Sequence, residues 1–212
     1  MKTLALATSL LASLTVLAEA VVLQLDFGSS TSPVATGTTA ATGNFLSNTP
    51  TASVSNIEGT GITFSIENVG VFSFDNATEP LTTDGFYTFG NNENSHNFTL
   101  SGLAPGSIVT LYAVAAWDGN PRGAQVTFGG TTAQAQVVGT PGTTPTLANY
   151  TLIGTAVANG SGVVSGFIAG AHLDDPTCEG QVGAFAFNLV PEPSSSLLGL
   201  IGLGALILRR KR

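Results

Sequence analysis

The apolar residues of this chain come in short runs, and almost every run is closed within a few positions by Gly, Asn, Asp or Pro. That punctuation excludes long helices at once, because an amphipathic helix needs roughly ten residues or more of sustained 3.6-residue periodicity. Inside the runs the period is two. In VVLQLDFGSS, Leu23, Leu25 and Phe27 alternate with Gln24 and Asp26, which predicts one core face and one wet face. ITFSIENV repeats the pattern through Ile62, Phe64 and Ile66, and QVGAFAFNLV through Phe185, Phe187 and Leu189. VFSFDN, GFYTFG and HNFTLSGL read as further strands, the last with His96 at a surface strand edge. SIVTLYAVAAWDG is apolar on both faces and reads as a central strand. AQVTFGG and TAQAQVVG form a hairpin across Gly129-Gly130, and YTLIGTAVANGSGVVSGFIAG predicts another, turned by Asn159 to Gly162.

About eleven such strands at even spacing predict two packed antiparallel sheets, an all-β sandwich. A jelly-roll-like path is preferred to an immunoglobulin-type one, because the strands outnumber the seven of the latter. The first and last strands also look half-buried and suited to pair with each other. Ser29 to Pro50 and Gly139 to Ala148 lack alternation and read as surface loops. FTLSGLAPGSIVTLYAV resembles the turn-and-strand segment of fibronectin type III domains through Leu103, Pro105 and Gly106. Val109 stands where that family has a Tyr, so only the turn carries over.

The two ends of the chain read differently from its middle. MKTLALATSLLASLTVLAEA has one Lys, a largely apolar run from Leu4 to Leu17 and the small-x-small exit Ala18-Glu19-Ala20. That is the form of a secretory signal peptide, with Val21 as the expected mature start. At the other end, twelve apolar or Gly residues from Leu197 to Leu208 would span about 18 Å as a helix, short for a permanent anchor. Arg209, Arg210, Lys211 and Arg212 would hold the end of the chain on the cytoplasmic side. Pro191 and Pro193 stop the last strand from running on. Pro191-Glu192-Pro193, the Gly-studded apolar stretch and the four terminal bases together resemble the PEP-CTERM sorting signal of Gram-negative bacteria. The resemblance implies a tail read by an exosortase, transient inner-membrane anchoring and delivery to an exopolysaccharide matrix or cell surface. LDFGSS, GLAPGS and EGQVGAFAF are similar to a recurring uncharacterised β-domain carried by such tails. The expected organisation is a signal peptide at 1–20, a β-sandwich domain at 21–190 and a sorting and anchor segment at 191–212.

Between Val21 and Val190 there is one base, Arg122, against eleven acids, a formal charge of −10. Such a domain cannot neutralise phosphates, which excludes nucleic acid as a partner. It has no Lys for covalent chemistry. The lone Cys178 excludes an internal disulfide. Two stretches concentrate polar groups. AAWDGNPRG brings Trp117, Asp118, Asn120 and Arg122 together around a turn, a candidate ligand loop in which an aromatic platform and hydrogen-bonding groups would meet a sugar. AHLDDPTCEG gathers His172, Asp174, Asp175 and Glu179, and the three acids are a weak Ca²⁺ candidate because their spacing departs from the known calcium loop. A solvated loop explains the same acids, and a core-capping Trp117 with a paired Arg122 explains the other stretch.

No Gly-x-Ser-x-Gly, His-Glu-x-x-His or phosphate-cradling loop occurs. The expectation is therefore a non-enzyme: an exported surface or extracellular-matrix protein handled by signal peptidase and exosortase, with no required cofactor. The alternatives are a carbohydrate-binding module contacting extracellular polysaccharide, and a polysaccharide-active enzyme.

Overall fold

The structure, a computed structural model, describes residues 20–28, 34–35, 37–42, 51–67, 70–73, 84–87, 96–116, 123–136, 146–169 and 180–190. These form an all-β fold of three sheets. The first half of the chain supplies β1 (Val21–Gly28), β2 (Thr39–Thr42), β3 (Thr51–Val54), β4 (Thr63–Glu67), β5 (Gly70–Ser73), β6 (Asp84–Tyr87) and β7 (His96–Ser101). The second half supplies β8 (Ile108–Val114), β9 (Gln125–Phe128), β10 (Thr131–Gln134), β11 (Thr151–Val157), β12 (Val164–Ala169), β13 (Gln181–Val182) and β14 (Ala184–Val190). A five-stranded sheet runs β11-β8-β14-β1-β2 and a six-stranded sheet runs β10-β9-β12-β7-β4-β3, with β13-β6-β5 as a small third sheet. The helical content of the described residues is two single turns, Ile57–Gly59 and Leu147–Asn149.

The two large sheets face each other across one apolar core. Leu23, Leu25 and Phe27 of β1 are fully buried, and they sit beside Phe187 and Phe185 of β14 in antiparallel register. Phe64 and Phe98 project from the opposite sheet, Phe64 6.1 Å from both Phe185 and Phe187 and Phe98 5.1 Å from Phe185. Edge-to-face and tilted contacts of this kind let rings interdigitate between two pleated surfaces. Phe86 of the third sheet stacks on Phe27 at 4.4 Å, which fastens that sheet to one end of the core. The first and last strands pair directly, as their half-buried patterns suggest.

Both short turns at the opposite end carry the chain from one large sheet to the other. Leu103 to Gly106 takes β7 to β8, and Asn159 to Gly162 takes β11 to β12. The predicted hairpin of β11 with β12 is therefore incorrect: β11 pairs with β8, while β12 pairs with β7 and β9. Turn chemistry specifies a reversal of direction, and it does not specify that the two arms bond to each other. Here the two turns bond to one another instead. The Leu103 N–H donates to the Gly162 carbonyl at 3.1 Å, and the Gly106 N–H to the Ala158 carbonyl at 2.9 Å. Val109, standing where the fibronectin-like segment has Tyr, is fully buried in the core. The β9–β10 hairpin does form, with φ of 59° and 79° at Gly129 and Gly130, the left-handed pair such a tight turn requires.

Two further expectations need correction. Thr39–Thr42 lies in the stretch read as a loop, yet it forms β2 and adds to the edge of β1 in parallel. Its small residues carry no apolar alternation, and backbone pairing alone suffices at an edge. Asp26, placed by alternation on a wet face, is 3 % exposed. The outer face of the five-stranded sheet is covered there by a second apolar cluster of Ala35, Val114, Tyr150, Ala184 and Ala186.

Candidate functional site

Trp117, Asp118, Asn120 and Arg122 of the candidate ligand loop lie outside the described residues, as do His172, Asp174, Asp175, Cys178 and Glu179. The same holds for residues 1–19 of the signal segment and for Pro191, Glu192, Pro193 and the four terminal bases. Among the described residues no helix is long and apolar enough to cross a membrane. The flanks of the two polar loops are nevertheless described, and they are neighbours. Gly123 bridges to Gln181, the Ala124 N–H donates to the Gln181 carbonyl at 3.0 Å, and the Gly180 backbone packs against Ala124 and Ala169. Residues 123–124 and 180–181, far apart in sequence, thus lie side by side.

Three titratable side chains, Asp26, Tyr150 and His96, are buried in the described fold. On the outer side of β1, the Asp26 carboxylate accepts the Ala35 N–H at 2.6 Å. Tyr150 lies beside it, 5 % exposed, and burial followed by the Asp26 charge pushes its phenol well above the ordinary value of 10. The phenol is therefore held protonated, and Asp26 holds the 34–35 segment against the sheet. His96, expected at the surface, is 5 % exposed at the start of β7, and burial lowers its pKa below the ordinary 6.5. A hydrogen bond involving the Glu67 backbone and the charge of Glu67 oppose that shift without reversing it. The ring is neutral near pH 7, and His96 shares the buried face of β7 with Phe98 and Leu100, where the alternation of HNFTLS puts it.

The outer face of the six-stranded sheet is the more open surface. One row across it, in register, is Thr132, Thr127, Phe167 and Asn97, from β10, β9, β12 and β7. The row continues to β4, where the Asn97 amide donates to Glu67 at 3.4 Å. Phe167 is exposed in a shallow depression of about 200 Å³ lined also by Gly129, Gly130, Ser165 and Gly166. The register of Phe167 with Thr127 and Asn97 was not legible in the sequence.

The third notable place is where the chain leaves the fold. Val21 at the start of β1 pairs with Leu189, and Val190 at the end of β14 pairs with Ile108. Both ends of the folded region therefore lie on adjacent strands at one end of the five-stranded sheet. Val157, Ile108 and Val190 form an exposed aliphatic row across three strands there.

This is an all-β domain whose last strand, interior to its sheet, runs directly into the C-terminal segment. The chain carries a PEP-CTERM protein-sorting motif, which matches residues 189–212 and so begins in the last two residues of β14. Such a motif implies an exported protein, processed by an exosortase and directed through the membrane to the cell envelope or surface. No curated protein matches the chain.

Proposed function

We propose that this chain is a non-catalytic exported cargo, freed of its signal segment by signal peptidase, tethered transiently at the inner membrane by residues 191–212, and delivered to the cell surface or extracellular matrix after exosortase processing. The reading rests on one observation above all: the sorting motif starts where an interior strand ends. β14 lies between β8 and β1, so the five-stranded sheet closes only after the chain up to Val190 has crossed the membrane. Completion of the fold and presentation of the sorting segment are thereby coupled in time. Val190 is bonded into the sheet opposite Ile108, and prolines at 191 and 193 cannot donate to a ladder. The ladder therefore ends at Val190, and a processing enzyme would act beyond it.

A jelly-roll path is part of the same reading. The order β1-β14-β8-β11 facing β7-β12-β9-β10 supports it, with β2 to β6 as an insertion between its first two strands. The sorting role is tested by replacing Pro191, Glu192 and Pro193 with Ala and fractionating cells. The expected result is full-length protein accumulating in the inner membrane. Unchanged release with an unchanged product mass would overturn it.

A further inference from the structure

We propose that the outer face of the six-stranded sheet is a binding site for a neutral polysaccharide chain, centred on Phe167 and distinct from the loop at 117–122. This goes beyond the sorting function, which would stand without it. Phe167 is 38 % exposed although it sits mid-strand, with Thr127 and Asn97 as its cross-strand neighbours. A large apolar ring in that position needs a reason, and the surroundings supply one. Gly129 and Gly130 flank it and bring no side chains to that side of the ring, and a depression of about 200 Å³ opens there. Thr127, Ser165 and Asn97 border the same space with hydroxyl and amide groups. Both donors and acceptors are available in that set.

This combination fits a pyranose ring. The axial C–H groups of a sugar pack on an aromatic face, while its equatorial hydroxyls need partners in the plane around that face. The row from Thr132 on β10 to Glu67 on β4 crosses five strands, roughly 19 Å at about 4.8 Å per strand, which is long enough for several linked sugars. Beyond it Ser165, Thr99, Ser65 and Ser53 make a second hydroxyl row in register. Of these row residues only Glu67 is charged, and it is acidic, so an anionic polymer would gain nothing and would meet repulsion from the acidic domain. A protein partner would be expected to require a broader apolar patch than one ring provides.

The experiment titrates the exported protein, by calorimetry or affinity electrophoresis, against neutral β-glucan, xylan and mannan, and against anionic polygalacturonate. Binding to at least one neutral polymer and none to polygalacturonate is expected. Phe167→Ala and Phe167→Leu should each weaken binding by about tenfold or more, the scale of one stacked ring, while Phe167→Trp retains it. Ser165→Lys, which fills the depression from an exposed strand position, should weaken binding comparably. Each variant is compared with the parent by thermal melt, and the exposed positions should melt within a few degrees of it. The proposal is overturned if no neutral polymer binds, or if binding persists in Phe167→Leu. It is also overturned if binding is lost in Trp117→Ala but kept in Phe167→Ala, or if Phe167→Ala alters only the oligomeric state.

Discussion

Replacing Phe27 by Ala removes a ring that touches all three sheets. Phe27 is fully buried, lies 4.4 Å from Phe86 in the small sheet, 5.0 Å from Phe185 in its own sheet and 5.6 Å from Phe64 across the core. A buried Phe→Ala change costs about 3–5 kcal/mol, the lost transfer free energy plus the cavity that the neighbours cannot fill. Here the neighbours are themselves rings locked in mutual contact, so collapse into the cavity is restricted and about 4 kcal/mol is the appropriate expectation. Against a total stability of roughly 5–15 kcal/mol for a domain, that is a large fraction. With a urea dependence of about 2 kcal/mol per molar, the midpoint should fall by about 2 M. The control is the same substitution at Phe167, on the outer face and 38 % exposed, which should shift the midpoint by less than about 0.5 M. Both are read by intrinsic fluorescence or circular dichroism in urea. If Phe167→Ala costs as much as Phe27→Ala, the inside and outside of the sandwich have been assigned wrongly.

Gly162 adopts φ 71°, and a Cβ there would run into the Leu103 carbonyl, so Gly162→Ala should destabilise by more than the roughly 1–2 kcal/mol of left-handed strain alone. Gly130→Ala, at φ 79° with open space around it, should cost only that strain, and paired thermal melts make the comparison. The buried Tyr150 phenol has a folded-state pKa raised above its unfolded value, so its stabilising contribution is present below pH 10 and is lost as pH rises through the folded pKa. Ultraviolet titration should show its ionisation displaced upward, and Asp26→Asn should bring it down. His96 has a folded-state pKa below 6.5, so the unfolded chain binds the extra proton first and stability falls as pH drops from 6.5 toward the folded pKa. His96→Gln should flatten that slope in melts between pH 5 and 7.

Much of the fold was legible because period-two alternation is a direct readout of a half-buried strand. Leu23, Leu25 and Phe27, and again Phe185, Phe187 and Leu189, lie on the core side as written in the sequence. What alternation cannot say is whether the other side stays wet. Asp26 is buried because Tyr150 and Ala35, remote in sequence, cover it, whereas His96 lies on the buried face of β7 with Phe98 and Leu100. The β11–β12 pairing was misread for a related reason: Asn159-Gly160 marks a turn, and only the bonds to Leu103 and Gly106 decide that it crosses between sheets. Thr39–Thr42 carried too little apolar signal to be read as a strand at all. For the site, the sorting signal was legible because it acts as a linear address. The depression at Phe167 was not, since register alone sets Thr127, Asn97 and the glycines around that ring.

The most direct test of the central claim is the intact mass of the exported protein, with its terminal peptides sequenced. The expected product begins at Val21, ends close to Val190 and contains no peptide from Arg209 to Arg212. Recovery from the extracellular fraction of a chain that still carries those four residues would contradict it.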